Sequence, residues 1–363
     1  MFRSVQVLPA RVCHSRSGAV FRLFIFVQEM NRGESMISLK TLLLFACCLL
    51  LSNGCRSSTP PSSARSLSNR SFERTPPRHA RGQYLYDGVM ACDYCHAPYD
   101  TKTRGWPPLP GKAGSGLQYS TSSNPRTVAP NITADRETGA GTWTDDMLAR
   151  AIREGIRHDG RVLDPHMPYE WYRAMSDEDL ASLIVYIRSL SPVRNVLPRM
   201  EIPEQFRNTV RPRALHEAVP MPDSSSPAKR GEYLVRLAHC SECHTPGPVY
   251  RLNRDLEFGG GTTVDNEEGQ KIACPNITPD PSGISYYDEA MFVAAIRTGT
   301  VGGARKLSAV MPWWFFRRMS DDDLKAIFAY LRTLRPVRHR VDNTEPISHC
   351  KVCGLSHGAG ALN

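Results

Sequence analysis

Two short cysteine–histidine motifs are the residues of this sequence whose types and spacing best support chemistry. They share the pattern Cys-x-x-Cys-His and lie at Cys92, Cys95 and His96, and at Cys240, Cys243 and His244. This pattern attaches a c-type haem. Two cysteines one helical turn apart can both form thioethers to the porphyrin, and the adjacent histidine then faces the iron. Chance predicts about 0.01 such motifs in a chain of this composition, so we predict two covalent haems.

Two other uses of paired cysteines are open. Two Cys-x-x-Cys pairs can form a four-cysteine zinc site, but such pairs usually lie within about 20 residues of each other. A thioredoxin-like redox pair needs a preceding strand and a βαβ context, and the sequence shows neither. Haem attachment is therefore the favoured interpretation.

The sixth ligand of each iron must come from another part of the chain. A methionine thioether raises the potential of a haem, whereas a second histidine lowers it. Each copy contains one repeated Met-Pro pair, at Met167–Pro168 and Met311–Pro312. The fixed φ of proline helps to hold such a loop rigid. We predict Met167 and Met311 as the axial ligands opposite the two motif histidines.

Other candidates for the sixth ligand are also present. Met175 and Met319 repeat as well, but they lie beside predicted helix starts, where packing is the plainer role. His158 and His166 have no histidine counterparts in the second half of the chain, and exposed loop positions are expected for both.

The motifs belong to a longer segment that occurs twice in the chain. The repeated sequences are Arg81-Gly-Gln-Tyr and Arg230-Gly-Glu-Tyr, Pro130-Asn-Ile-Thr and Pro275-Asn-Ile-Thr, Ala151-Ile-Arg and Ala295-Ile-Arg, and Met175-Ser-Asp and Met319-Ser-Asp. Their order is the same in both copies, and only the loop lengths differ. This identifies an internal duplication of one fold.

The hydrophobic periodicity predicts a mainly α fold. Apolar residues in 180–187 and 324–331 follow the spacing of one helix face, with a capping serine before each helix and Pro192 and Pro336 as stops. A second helix in each copy ends at a glycine, and a third precedes each cysteine pair. About three helices joined by long loops form no sizeable core unless something fills the centre.

Composition divides the chain into six predicted segments, because Ser-, Pro- and Arg-rich stretches separate the repeats. They are an upstream extension with a signal or lipoprotein peptide (1–54), a flexible tether (55–80), a first haem domain (81–191), an interdomain linker (192–228), a second haem domain (229–337) and a C-terminal tail (338–363).

The start of the chain predicts export. A basic start at Met36–Lys40 is followed by a short apolar run and then Gly54–Cys55, which resembles the end of a bacterial lipobox. The apolar run is shorter than the roughly 20 residues of a spanning helix. We expect a periplasmic lipoprotein anchored through Cys55, with ordinary cleavage or an uncleaved anchor as alternatives. Residues 1–35 do not resemble a signal peptide, so Met36 as the true start is a hypothesis.

Several repeated polar residues have open roles. Asn131 and Thr133, like Asn276 and Thr278 in the second copy, either contact a haem propionate or form a structural turn. Arg153 and Arg297 either balance propionate charge or face solvent. For Cys350 and Cys353 a disulfide is the first prediction, and a free pair is the alternative. The role of Cys274 is open.

The charge distribution excludes one class of partner. The formal net charge is +9, but no dense Lys/Arg block is interleaved with aromatic residues. We therefore expect no nucleic-acid partner.

From Arg81 to Val337 the sequence resembles the membrane-associated cytochrome c subunits of bacterial alcohol, gluconate and related dehydrogenases, and dihaem cytochromes c generally. Those subunits commonly carry three haem modules, and this chain has two. The resemblance implies two tandem class I cytochrome c-like domains, each of about three to five helices around one covalent haem. It also implies iron ligation by His96 with Met167 and by His244 with Met311.

The expected function is single-electron transfer between redox partners, because six-coordinate iron has no vacant site for a substrate. The expected partners are a dehydrogenase subunit, a quinol-oxidising complex or a terminal oxidase. An electron carrier is thus favoured over an enzyme. The alternative is a dihaem enzyme, such as a peroxidase or a thiosulfate-oxidising cytochrome, which needs asymmetry between two sites that the sequence makes nearly symmetric.

Overall fold

Helices of the two copies occur at equivalent places in the chain. The computed structural model describes residues 65–121, 124–210 and 213–360. The predicted upstream extension, the signal segment and Cys55 lie outside these residues. Within them, no helix combines the length and apolar character required to cross a membrane.

The described part of the chain is mainly helical, as predicted. The α-helices of the first copy are α1 (Pro76–Tyr84), α2 (Asp93–His96), α3 (Asp145–Glu154), α4 (Tyr169–Tyr172) and α5 (Asp177–Ile187). Those of the second copy are α6 (Pro227–Leu237), α7 (Cys240–His244), α8 (Glu289–Thr298), α9 (Trp313–Phe316) and α10 (Asp321–Leu331). A π-helical segment (Leu85–Val89) continues α1, and two 3₁₀ turns lie at Glu204–Phe206 and Arg254–Leu256.

The strands described form short antiparallel pairs. They are β1 (Leu117–Tyr119) with β2 (Thr127–Ala129), β3 (Thr263–Asp265) with β4 (Lys271–Ala273), β5 (Thr300–Val301) with β6 (Arg305–Lys306), and β7 (Ser348–His349) with β8 (Ser356–His357). Each pair fixes a loop rather than building a layer.

Capping residues explain where the helices begin and end. Ser176 and Ser320 accept hydrogen bonds from the third residues of α5 and α10, as the sequence predicts. Helix α3 ends at Gly155, whose φ of 69° is left-handed. The predicted proline stops are wrong, because α5 ends at Ile187 and α10 at Leu331, before the prolines are reached.

Two glycines allow the long helices of each copy to cross closely. Helix α1 packs across α5 and α6 across α10. A Cβ at Gly82 would lie 1.9 Å from the carbonyl oxygen of Ser182, and one at Gly231 would lie 1.9 Å from that of Ala326. Backbones can meet at this distance only where the side chain is a hydrogen.

Two equivalent Tyr–Asp hydrogen bonds join the two copies, and together they are called the reciprocal contact. Tyr233 donates to the Asp179 carboxylate over 2.8 Å, and Tyr84 donates to Asp323. Each carboxylate also pairs with an arginine of its own copy, Arg81 or Arg230. Each tyrosine oxygen in turn accepts the backbone N–H of the other copy's helix cap, at 3.1 and 3.0 Å.

The core is continuous across the two copies. Buried apolar side chains of both belong to one cluster, which includes Met175 and Met319 at 0 % and 1 % exposure. The short helix α4 packs on α6, and α9 packs on the π-helical segment of the first copy. The two cavities described below therefore lie within one shared framework.

The segment before α1 lies against the first copy as an N-terminal strap (residues 65–75). Arg65 pairs with Asp146 at 2.6 Å and with Glu154 at 2.7 Å, and the backbone N–H of Phe72 donates to Asp145 over 3.1 Å. The predicted flexible tether extends to residue 80, but its described part makes these contacts, and α1 begins at residue 76.

The predicted linker also follows the surface of the first copy. The carbonyl oxygens of Val193 and Glu201 accept from Asn131 and Asn124, and Asn195 donates to Ser115 over 2.8 Å. The linker also contains the 3₁₀ turn Glu204–Phe206, which precedes α6.

Candidate functional site

Both Cys-x-x-Cys-His motifs follow a residue in a strained backbone conformation. Ala91 has φ 48° and His239 has φ 41°, although neither is a glycine. Such left-handed residues cost about 1 to 3 kcal/mol and are held in place by the surrounding structure. In both copies the residue turns the chain from a long helix into the short helix, α2 or α7, that carries the motif.

The motif histidines are oriented by backbone carbonyls. His96 Nδ1 lies 2.8 Å from the Pro130 oxygen, and His244 Nδ1 lies 2.8 Å from the Pro275 oxygen. A ring that donates through Nδ1 offers Nε2 to a metal. Burial lowers the pKa of both imidazoles despite the opposing effect of this hydrogen bond. Both are therefore neutral, the ligating form, at pH 7.

Each motif opens into a large, mainly apolar cavity. The first cavity has a volume of about 1200 Å³ and is lined by Cys92, Cys95, His96 and Met167. The second has a volume of about 1870 Å³ and is lined by Cys240, Cys243, His244 and Met311. Both exceed the roughly 300–1000 Å³ of ordinary small-molecule sites. The donor set and the space fit a covalent haem in each copy.

The Met-Pro loops are held in the same way in both copies. Pro168 and Pro312 have φ values of −79° and −76° and precede α4 and α9. The carbonyl of Met167 accepts from the Tyr169 N–H over 2.7 Å, and Met311 accepts from Trp313 over 2.6 Å. Both methionine side chains are half-buried beside the core. The structure thus brings each predicted axial methionine to the same cavity as its histidine.

The alternative methionines differ in their surroundings. Met175 and Met319 are fully buried in the shared core, although Met319 also reaches the second cavity. Met200, from the linker, lines the first cavity and accepts the Val128 N–H at its sulfur over 3.1 Å. The sequence analysis missed Met200, because it lies outside the repeats.

The motif thiols are protonated at neutral pH. Burial raises the pKa of Cys95 to about 11 and of Cys240 to about 12, and it raises that of Cys92 well above its ordinary value. Redox-active pairs have thiols with low pKa values and follow a strand. Here a helix precedes each pair, so the thioredoxin-like alternative is not supported.

A further cysteine lies beside the second motif. The pKa of Cys243 lies well above its ordinary value. The larger cause is a hydrogen bond with the buried Cys274 thiol, and the second cause is the burial of Cys243 itself. Cys274 directly precedes the repeated Pro-Asn-Ile-Thr, and Ala129 stands at that place in the first copy. The second cavity therefore has a third thiol beside its motif where the first has an alanine. The role of Cys274 was open from the sequence alone.

The repeated Asn-x-Thr residues form a structural turn. The side-chain oxygen of Asn131 accepts from the Thr133 N–H and hydroxyl at 3.0 and 2.7 Å. The side-chain nitrogen of Asn131 donates to a carbonyl of the linker. Asn276 and Thr278 repeat the arrangement at 2.9 and 2.8 Å. The amides are engaged within the protein, so the turn, rather than a propionate contact, is the role that the structure supports.

The repeated arginines also have structural roles. Arg153 is buried and binds Asp177 at 2.7 Å and the Met175 carbonyl at 2.9 Å. Arg297 binds Asp321, the equivalent residue at the start of α10. They connect α3 to α5 and α8 to α10, with Arg153 buried and Arg297 partly exposed to solvent.

The two unrepeated histidines are not exposed, contrary to the sequence-based expectation. His158 packs against Trp143, with ring centroids 4.3 Å apart and the ring planes tilted by 37°. His166 Nδ1 lies 2.6 Å from the Asp164 carboxylate, and its side chain is 12 % exposed. His166 also lines the first cavity.

The two cavities adjoin each other. Tyr94, Val310 and Pro312 are among the residues that line both of them, and the Tyr94 hydroxyl donates to the Val310 carbonyl over 3.0 Å. Tyr94 lies between the cysteines of the first motif, whereas Val310 precedes Met311 of the second. The two sites are therefore neighbours.

The motif cysteines do not converge on one centre. Among the described residues, one group of metal-ligating side chains lies close enough to hold an ion, and it contains none of the four motif cysteines. A zinc site shared by the two pairs is therefore not supported.

Comparison with known proteins gives consistent relatives, although no family model matches the sequence. The cytochrome subunit of fructose dehydrogenase from Gluconobacter japonicus is 31% identical over 275 residues, which cover 71% of this chain and 53% of that subunit. The cytochrome c subunit of gluconate 2-dehydrogenase from Pantoea cypripedii is 30% identical over 279 residues, with 70% and 59% covered. A dihaem cytochrome from Cereibacter sphaeroides is 28% identical over 267 residues, with 70% and 84% covered.

The chain thus spans about half the length of the dehydrogenase subunits it matches. The chain is a homologue of the cytochrome c subunits of bacterial fructose, alcohol and gluconate dehydrogenases and of a dihaem c-type cytochrome, as the sequence analysis predicts.

Proposed function

We propose that this protein is a dihaem c-type cytochrome that passes single electrons between redox partners. One haem would occupy each of two tandem domains, at residues 81–191 and 229–337. The observation that carries the proposal is the presence of two adjacent cavities, each lined by two thiols, an oriented imidazole and a methionine thioether.

The residues of each cavity have distinct tasks. In the first, Cys92 and Cys95 would form the thioethers, and His96 and Met167 would be the ligands of the metal. In the second, the same tasks fall to Cys240 and Cys243, and to His244 and Met311. A bound haem c supplies an iron that alternates between the ferrous and ferric states.

Two protein ligands for each metal favour an electron carrier over an enzyme. A metal with two protein ligands in addition to the porphyrin has no position for a substrate, so the chain would position and insulate redox centres. The residues that line both cavities, among them Tyr94, Val310 and Pro312, support electron exchange between the two centres, because they make the cavities direct neighbours.

We further propose an exported protein tethered to the membrane through Cys55, with a dehydrogenase subunit as electron donor. The support for the donor is that the relatives include cytochrome subunits of fructose, alcohol and gluconate dehydrogenases. Transfer onward to a quinol-oxidising complex or a terminal oxidase would use weak, transient association.

A haem count tests the proposal. The full chain, matured in a host with cytochrome c assembly, should carry two haems by intact mass and by alkaline pyridine spectrum. Replacing Cys92 and Cys95 by alanine should remove one haem and leave the second. A wild-type polypeptide of unmodified mass would contradict the proposal.

Spectra and turnover distinguish the carrier from the dihaem enzyme. The carrier predicts two low-spin centres, with the weak band at the red end of the ferric spectrum that reports methionine ligation. A high-spin centre, together with steady turnover of peroxide or thiosulfate, would favour the enzyme instead.

A further inference from the structure

Four potential metal ligands converge in the C-terminal segment, outside both haem cavities. They are His339, Cys350, Cys353 and His357, and one donor atom from each lies within 4.8 Å of all the others. Cys350 and Cys353 are free thiols rather than the disulfide expected from the sequence. Two soft thiol donors with two imidazoles form the Cys₂His₂ set of structural zinc sites.

The distances between donor atoms match a tetrahedral metal site. His339 Nε2 lies 3.3 Å from His357 Nε2 and 3.4 Å from Cys350 Sγ. With Zn–N near 2.0–2.1 Å and Zn–S near 2.3 Å, a tetrahedron places two nitrogens about 3.3 Å apart and a nitrogen and sulfur about 3.5 Å apart. His339, His357 and Cys350 therefore lie at separations that a bound zinc ion would impose, and Cys353 Sγ lies within 4.8 Å of all three.

His339 is oriented as a metal ligand. Its Nδ1 lies 2.8 Å from the Gly259 carbonyl, which leaves Nε2 directed at the other three ligands. Metal-bound histidines characteristically donate their second ring nitrogen to such an acceptor. His339 and His357 are 1 % and 9 % exposed, and the two cysteines are half-buried.

The cysteines lie at the tip of a hairpin suited to the same purpose. Strands β7 and β8 pair Ser348 with His357, and the Cys350 N–H donates to the Leu355 carbonyl over 2.8 Å. The Val352 N–H lies 3.4 Å from Cys350 Sγ, where it would stabilise a thiolate. The spacing Cys-x₂-Cys-x₃-His matches the spacing of known zinc ligands.

The first copy lacks this site but retains the loop contact around it. Asn195, the counterpart of His339, donates to the Ser115 carbonyl over 2.8 Å, and Ser115 is the counterpart of Gly259. In the second copy the same loop is bound by an imidazole that also faces the cysteines. The residue type at this position has therefore changed from a hydrogen-bonding amide to one that can bind metal.

We propose that His339, Cys350, Cys353 and His357 bind one structural Zn²⁺ ion. Four protein ligands leave no open position, so the ion would fix the C-terminal segment rather than perform catalysis. The two thiols would each release a proton on binding. The fixed segment would brace the second haem cavity from behind, because the neighbouring Gly260 N–H donates to the His244 carbonyl over 2.8 Å.

Metal analysis of the purified full-length holoprotein tests this site separately from the haems. We expect one zinc per chain, and its retention does not depend on the haem count. Cys350→Ser with Cys353→Ser should reduce zinc at least tenfold while the haem count stays the same. His349→Ala, an exposed histidine of the same hairpin, and Cys274→Ala should each retain the zinc.

X-ray absorption at the zinc edge tests the wild type without relying on a variant. The expected first shell is two sulfurs and two nitrogens. A shell of oxygen and nitrogen only, a non-haem iron in place of zinc, or a Cys350–Cys353 disulfide in the intact mass would each overturn the proposal. Zinc retained by the double serine variant would do the same.

Discussion

Single hydrogen bonds determine which atoms of the candidate sites can bind a metal. His96, His244 and His339 each use Nδ1 on a backbone carbonyl, at 2.8 Å in all three cases. Each ring is thereby held in one tautomer with Nε2 directed into its site. The same local device thus serves the two proposed haem ligands and the proposed zinc ligand.

Replacing Met167 or Met311 by alanine should remove the contribution of one haem to the weak band at the red end of the ferric spectrum. The absorbance of that band should fall by about half. The replacement should also lower the midpoint potential of that haem by on the order of 100 mV, because the thioether favours ferrous iron. Redox titration with optical detection measures both effects. Met200→Ala is the matched control, since Met200 lines the first cavity but lies on the linker. Loss of the band in that variant, and not in Met167→Ala, would assign the ligand to Met200.

The residues of the haem motifs were predictable because their chemistry is local. Cys92, Cys95 and His96 lie within one turn, and a pattern of that length identifies their role without a fold. The proposed zinc ligands were not predictable, because the cysteines approach His357 through the hairpin and His339 only in the folded chain. The role of Asn131 was open for a similar reason, since the linker carbonyl that its amide binds is 62 residues away in sequence.

Elements of this fold are held by single residues at their ends and crossings. The helix starts were predictable from Ser176 and Ser320, and the ends of α3 and α8 from Gly155 and Gly299. The N-terminal strap was not predictable, because its composition is that of a flexible tether. Its contacts come from Arg65 and backbone N–H groups, which show no periodicity in sequence.

Gly82→Ala or Gly231→Ala should destabilise the protein by about 3 kcal/mol, because the new methyl group would overlap a carbonyl of the crossing helix. Chemical denaturation of the holoprotein measures the free energy of unfolding. Gly88→Ala is the control, since its Cβ would meet no atom closer than 3.7 Å. Equal losses in all three variants would show that the helix crossings are not the cause.

The N-terminal strap should detach in acid. Burial raises the pKa of Asp146, but hydrogen bonds from Arg65 and the Ser68 N–H outweigh this effect and hold it below the ordinary value. A carboxyl with a lowered pKa stabilises the fold above its ordinary pKa near 4, and that contribution is lost as pH falls through the folded-state value. Hydrogen exchange of residues 65–75, corrected for intrinsic rates, should therefore quicken as the pH falls below about 4.

Asp146→Asn should give fast exchange of the strap already at pH 7, whereas Asp135→Asn, which changes a carboxylate away from the strap, should not. Unchanged protection of the wild-type strap at pH 3 would rule out this role for Asp146.

At the scale of the whole molecule, the two copies share one core and one set of polar contacts. The duplication was predictable from sequence, but the way the copies pack was not. Tyr84 and Tyr233 repeat as part of the same Arg-Gly-x-Tyr pattern, and nothing in that pattern shows that each tyrosine serves the other copy.

Tyr84→Phe and Tyr233→Phe should each destabilise the protein by about 1 to 3 kcal/mol, because each removes a hydrogen bond to a buried carboxylate. A double-mutant cycle checks the assignment. In an Asp323→Ala background, which offers no acceptor to the phenol, the loss from Tyr84→Phe should shrink to less than half. Equal losses in both backgrounds would mean that the Tyr84 hydroxyl does not act through Asp323.

The reciprocal contact has the form of a two-fold homodimer interface, in which one patch pairs with its own copy. Two separate single-copy chains could make such a pairing only above a threshold protein concentration. Fusion into one polypeptide removes that threshold, so dilution in the cell would not separate the two redox centres.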